Sequence, residues 1–141
     1  MKDKFFIDTN IFIYSFDETN LAKQSRSQEL IKSALVKGYG IISTQVIQEF
    51  LNVATRKFAH PLTVEDATQY LHRVLNPLCQ VYPTLLLYEQ SLKIQAQWGI
   101  SFYDSLIVAA ALAGGCATLY TEDLQPDLKI ENLIIINPYA I

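Results

Sequence analysis

The sequence predicts a single α/β domain built on a parallel sheet. Three observations carry this prediction. Strand-like and helix-like segments alternate from one end of the chain to the other. The strand-like runs are short and continuously apolar, as strands covered on both faces are. No linker, repeat or low-complexity stretch interrupts the 141 residues, a length ordinary for one domain.

The elements follow in order. Phe5-Phe6-Ile7 is a short apolar run and reads as the first strand. A helix begins near Leu21, with Leu30, Ile31, Ala34 and Leu35 at helical spacing, and Gly38 and Gly40 end it. Ile41-Ile42 reads as the second strand. Ser43 or Thr44 caps the next helix, whose apolar stripe is Val46, Ile47, Phe50, Leu51 and Ala54. Thr63 opens another helix, which stops near Asn76-Pro77. Cys79 to Tyr82 is a third strand, followed by a helix from about Thr84 to Trp98. The helix starting at Ser101 is apolar almost all round, from Leu106 to Leu112, as a buried helix is. Gly114-Gly115 ends it. Ala117 to Tyr120 is a fourth strand and Leu133 to Ile136 a fifth, stopped by Asn137-Pro138.

Half of the residues are hydrophobic, enough for a real core, and only 18% are charged, which excludes a disordered chain. The net charge is −3, and the closest basic neighbours are Arg56 and Lys57. The basic footprint usual in nucleic-acid binding is absent. Asp8 ends the N-terminal apolar run too early for a signal peptide. The longest apolar stretch, Leu106 to Tyr120, is interrupted by Gly114, Gly115 and Thr118, short of the roughly 20 residues a spanning helix needs. No membrane segment is expected. Cys79 and Cys116 are far apart in apolar company, with no metal-ligand spacing. They read as buried, reduced thiols in a cytoplasmic protein. His60 and His72 have no partner pattern and read as surface residues.

In open parallel sheets ligands bind beyond the carboxyl ends of the strands. Asp8 ends the first strand and Thr121-Glu122-Asp123 follows the fourth. Glu49 lies on the helix after the second strand, and Asp104 in the first turn of the buried helix. Each has an ordinary structural explanation. Asp8 suits a turn cap, and Asp123 a turn. Asp104 stands three residues after Ser101, as in a capping box, and complements the helix dipole. Glu49, at about 100° per residue, falls roughly 130° from the centre of its helix's apolar stripe and reads as surface. Jointly, however, several of these acids map to one sheet edge. Converging carboxylates oppose one another's ionisation, and a divalent cation relieves the repulsion. Mg²⁺ and Mn²⁺ favour such oxygen donors and lower the pKa of a bound water. Neutralising four carboxylates would also move the formal charge from −3 to +1, so that an acidic protein could hold a phosphate backbone.

The motifs resemble those of the PIN-domain family, and within it the VapC-type toxins of toxin–antitoxin pairs. Phe6-Ile7-Asp8-Thr9-Asn10 looks like the family's first motif, and Glu49 in Ser-Thr-Gln-Val-Ile-Gln-Glu-Phe its second. Asp104 in Phe-Tyr-Asp-Ser-Leu-Ile-Val-Ala-Ala-Ala looks like its third. Thr121-Glu122-Asp123-Leu124, followed by an apolar strand and Asn137-Pro138-Tyr139, looks like its last. The resemblance spans nearly the whole chain. It implies a three-layer fold with strand order 3-2-1-4-5 flanked by helices, and Mg²⁺- or Mn²⁺-dependent endonuclease cleavage of RNA by metal-activated water. Asp8, Asp104 and Asp123 would hold the metal directly or through water, with Glu49 completing the set. Asn10 and Thr121 would hydrogen-bond the carboxylates or metal waters. A homodimer and a small inhibitory antitoxin are implied as partners. The family often has a glycine turn after the last motif; here the run is Leu124-Gln125-Pro126-Asp127, where Pro126 makes the turn another way.

Two other readings compete. A phosphoacceptor or phosphatase domain would use Asp8 as nucleophile, but such sites carry a second acid beside the first-strand aspartate, where this chain has Thr9 and Asn10. A non-catalytic interaction module would keep a relict acidic metal site, commonly with an acid lost, whereas all four are present.

Overall fold

The computed structural model describes residues 3–140. Met1, Lys2 and Ile141 lie outside the described residues. The elements are β1 (Lys4–Ile7), α1 (Thr9–Tyr14), α2 (Leu21–Lys37), β2 (Gly40–Ser43), α3 (Thr44–Arg56) and α4 (Val64–Tyr70). A π-helical turn over Leu71–Leu75 joins α4 to the short α5 (Asn76–Leu78). Then come β3 (Cys79–Val81), α6 (Leu85–Trp98), α7 (Phe102–Ala113), β4 (Cys116–Tyr120), β5 (Lys129–Ile130) and β6 (Leu133–Ile136).

The sheet order is β3-β2-β1-β4-β6-β5. The expected order holds for the five parallel strands, with Leu133–Ile136 in fifth place as β6. The difference is β5, a two-residue strand antiparallel to β6 at the outer edge. Two residues are too few to show a hydrophobic period, so the sequence is silent about it. Asp127 and Glu131, which bracket β5, both take a left-handed backbone, φ 64° and 54°. Asp127 follows Pro126 and stands where a glycine would make this turn without strain.

The apolar β1 lies at the centre because it is buried on both faces. Phe6 is paired with Ile41 of β2 and Leu119 of β4, and none of the three has any exposed surface. All three strands point the same way, so their carboxyl ends reach one edge of the sheet. There β1 gives way to α1, a helix that sequence reasoning missed: six residues are too few for a convincing period, and Ile11-Phe12-Ile13 prolongs the apolar character of β1. Asp8 is its N-cap. α7 is buried as expected, from Ser105 to Ala111, packed against α6 and the sheet. Thr63, Thr84 and Ser101 all cap their helices through side-chain oxygens. Ser43 holds the cap position of α3, but its hydroxyl makes no cap bond. Gly40 lets α2 approach β2 closely: a Cβ there would lie 2.3 Å from the Ala34 Cβ. Cys79 and Cys116 are buried and free, as the sequence suggests. Among the described residues no helix is long and apolar enough to cross a membrane.

Candidate active site

Asp8 stands where β1 leaves the sheet, its N–H still paired to the Tyr120 carbonyl at 3.0 Å. Its Oδ1 accepts the Thr9 N–H at 2.7 Å, and its Oδ2 accepts the Thr121 hydroxyl at 2.7 Å. The Thr121 hydroxyl in turn accepts the Asp123 N–H at 3.1 Å. One buried threonine therefore ties the exits of β1 and β4 together. Asp8 is only 6% exposed. Burial pushes its carboxyl up to about 7; the Thr121 and Thr9 bonds oppose the rise, and the charges of Asp123 and Glu49 add to it.

Asp123 lies in the loop after β4 and is gripped from α1. Asn10 Nδ2 donates to both of its carboxylate oxygens, at 2.9 and 3.0 Å. Its carboxyl is also raised, by desolvation first and then by the charges of Asp104, Glu122 and Glu49, with the Asn10 bond working against them. One helical turn beyond Asn10, Tyr14 donates to Glu122 Oε1 at 2.6 Å, and Lys23 of α2 closes an ion pair with Glu122 Oε2. Lys23 also lies 4.4 Å from the centre of the Tyr14 ring. Burial would raise the Glu122 carboxyl, but the Lys23 and Tyr14 bonds outweigh it and hold it below its ordinary value.

Glu49 differs from its surface reading. Helix α3 buries Val46, Phe50 and Ala54 on one side, and turns Gln45 and Glu49 toward the sheet edge. Thr9 Oγ1 donates to Glu49 Oε1 at 2.6 Å, and Gln45 Nε2 lies 3.4 Å from Oε2. The helical phase was right about the core; what it lacked was α1, which makes that side of α3 a wall of a cleft. The capping box at Asp104 forms by half: the Asp104 N–H bonds Ser101 Oγ at 3.1 Å. The Asp104 carboxylate has no hydrogen-bond partner among the described residues and lines the cleft instead.

Asp8, Glu49, Asp104 and Asp123 thus border one cleft of about 260 Å³, together with Thr9, Asn10, Gln45 and Tyr103. No lysine or arginine lines it. Thr121 does not reach the cleft and acts only through Asp8 and Asp123. Among the described residues no three His, Cys, Asp or Glu side chains converge tightly enough to hold one ion. The four acids ring a space rather than meet at a point. In chemistry the set fits a hard divalent cation: the donors are oxygens, the wall has no competing cation, and the Asp8 and Asp123 carboxyls are raised first by burial and secondarily by neighbouring acids, a charge crowding that a cation relieves. Sequence reasoning had quoted Thr9, Gln45 and Glu122 only as parts of motifs, and had missed the Tyr14–Lys23–Glu122 clamp. The four-residue spacing of Asn10 and Tyr14 would have signalled the clamp had α1 been recognised.

Fold and site together define a class: a parallel-sheet α/β domain with an acidic cleft at the carboxyl edge of its central strands. The chain belongs to the PIN-domain family, whose model matches residues 5–128. No curated protein matches it significantly by sequence. Solved structures of the same fold include a toxin–antitoxin complex from Klebsiella pneumoniae, at 17% identity and TM-score 0.68, covering 96% of this chain and 98% of that one. Another is the DNA-bound VapBC of Salmonella typhimurium, at 19% identity and TM-score 0.67, covering 95% and 97%. A third is VapC20 of Mycobacterium tuberculosis, described as a toxin that cleaves the sarcin–ricin loop, at 20% identity and TM-score 0.64, covering 85% and 90%. At these identities the likeness is one of fold.

Proposed function

We propose that this chain is a divalent-cation-dependent endoribonuclease, the toxin of a toxin–antitoxin pair, which hydrolyses a phosphodiester of RNA in the acidic cleft. One observation carries the reading: four carboxylates, from the exits of β1 and β4 and from α3 and α7, border a single space that no basic side chain lines. Such a wall repels phosphate unless its charge is neutralised. Asp8, Asp104 and Asp123 would hold Mg²⁺ or Mn²⁺, with Glu49 completing the set. When bound, the cation supplies positive charge for the phosphodiester and its leaving oxygen, and acidifies the attacking water.

The chain's own groups set the geometry. Asn10 fixes the plane of the Asp123 carboxylate through two bonds, and Thr121 locks Asp8 to the same loop. Thr9 takes one oxygen of Glu49, while Gln45 holds the other only loosely at 3.4 Å. That second oxygen is the one that would complete the cation's oxygen donors. No covalent intermediate is needed, and the absence of lysine from the lining speaks against an aspartyl-phosphate at Asp8. The structural neighbours include toxin–antitoxin assemblies, which supports a small antitoxin as partner; a homodimer rests on the family resemblance.

The test is incubation of RNA with the purified protein in Mg²⁺, in Mn²⁺ and in EDTA, with analysis of the fragment ends. Cleavage only with metal, and no 2′,3′-cyclic phosphate, is expected for attack by water. Undiminished cleavage in EDTA, or cyclic-phosphate ends, would overturn the mechanism.

A further inference from the structure

Beside the acidic cleft lies a second cavity, of about 400 Å³, bordered by the end of β2 and by α3, α6 and α7. Gln45 and Tyr103 line both spaces, so the two are neighbours across these side chains. The Gln45 amide sits on the ridge between them, donating to the Tyr103 carbonyl at 3.3 Å. The character of the second cavity differs sharply from the first. No charged residue lines it, and its polar groups are amides and hydroxyls. Two tyrosines stand on its wall with large exposed areas, Tyr88 at 40% and Tyr103 at 66%. Two buried polar atoms in residues lining it, Ser43 Oγ and Gln45 Oε1, have no hydrogen-bond partner among the described residues. Ser43 is 3% exposed and Gln45 8%. Unpaired atoms this deep are uncommon in native proteins and call for an explanation.

We propose that this cavity is a nucleobase subsite, which seats the base of the nucleotide adjoining the scissile phosphate. The inference rests on the ribonuclease reading of the cleft next to it. A phosphate would need cations that the cavity does not have. A base is neutral, presents two flat faces and carries donors and acceptors on its edge. Single-stranded RNA is read in this way, by stacking on aromatic rings and hydrogen bonding to base edges. Tyr103 and Tyr88 supply the stacking surfaces. Gln48 supplies edge contacts, and the unpaired oxygens of Gln45 and Ser43 belong to residues of the same wall. The ridge residues then set the step from base to phosphate, so a base in one space carries its phosphodiester into the other.

The experiment compares two short single-stranded RNAs, one intact and one abasic at the nucleotide beside the cut. Tyr88 lines this cavity and not the acidic cleft, and it is 40% exposed, so its truncation spares both the fold and the catalytic wall. Tyr88→Ala is expected to raise KM for the intact RNA roughly tenfold, with Tyr88→Phe near wild type. The abasic RNA should be a poor substrate for wild type and no poorer for Tyr88→Ala. An equal effect of Tyr88→Ala on both RNAs, or no effect on either, overturns the subsite. Should the wild type cleave no RNA at all, the cleavage reading fails alone, and backbone amide shifts measured by NMR decide the subsite. Shifts at Gln48, Tyr88 and Tyr103 with the intact RNA and not with the abasic one support it. Their absence with both refutes it.

Discussion

The hydroxyl of Thr9 donates to Glu49 Oε1 at 2.6 Å, joining residues 40 positions apart in sequence. The bond makes a first-turn residue of α1 the partner that orients an acid of α3. A hydrogen bond to a charged group contributes about 1.5–3 kcal/mol. Thr9→Val, nearly the same in shape, should therefore lower RNA cleavage about tenfold or more, while the circular dichroism spectrum stays native. Cleavage kinetics beside the spectrum check this; unchanged kinetics would mean that Glu49 needs no orientation from α1.

Asp8 gives the metal-free protein a distinct pH dependence. The folded state keeps this proton up to about pH 7, while the unfolded chain releases it near 3.8. Between those values the folded state binds more protons, so stability falls as pH rises from about 4 to 7, and this contribution is then constant above. The whole change is on the order of 4 kcal/mol at most. Urea melts in EDTA across this range should show the decline in wild type and lose it in Asp8→Asn. With Mn²⁺ present the trend should reverse, because the ion binds the ionised carboxylate.

Asp104 separates structural from functional roles most cleanly. Its N–H forms the helix cap, and its charge raises the carboxyl of Asp123. Asp104→Asn keeps the cap and removes the charge. Metal-free melting temperature should hold or rise slightly, and cleavage should fall at least a hundredfold. A loss of several degrees instead would assign this acid to the fold.

The Glu122 clamp should matter more for activity than for stability. Its ion pair with Lys23 is partly exposed, and such pairs contribute little to stability because solvent screens them. Glu122→Gln should lower the melting temperature by a few degrees at most. It should weaken Mn²⁺ binding several-fold by loosening the loop that carries Asp123. Titration calorimetry with Mn²⁺, together with a melt, distinguishes this from a purely structural part, which would lower stability and leave ion affinity unchanged.

Much of this molecule is written locally in its sequence. The buried strands and the all-apolar α7 follow from hydrophobic pattern, and Asp8 and Asp123 from their position at strand ends. What the sequence withheld depends on short or long-range features. α1 and β5 are too short to show a period. The inward face of Glu49 exists only because α1 packs against α3. Asp104 looked equally like a cap and a ligand because its backbone does the first and its carboxylate borders the cleft. The second cavity was invisible for the same reason: Gln45 and Tyr103 meet only across two helices brought together by the sheet.

The central claim is that the four acids bordering the cleft act together on a divalent cation, directly or through its waters, in RNA hydrolysis. It is tested most directly by assaying RNA cleavage and Mn²⁺ binding on the same preparations of wild type and Asp8→Asn. The account predicts that wild type binds Mn²⁺ and cleaves, that EDTA stops cleavage and added Mn²⁺ restores it, and that folded Asp8→Asn loses both properties together. Cleavage by Asp8→Asn at the wild-type rate, or wild-type cleavage indifferent to EDTA, would contradict it.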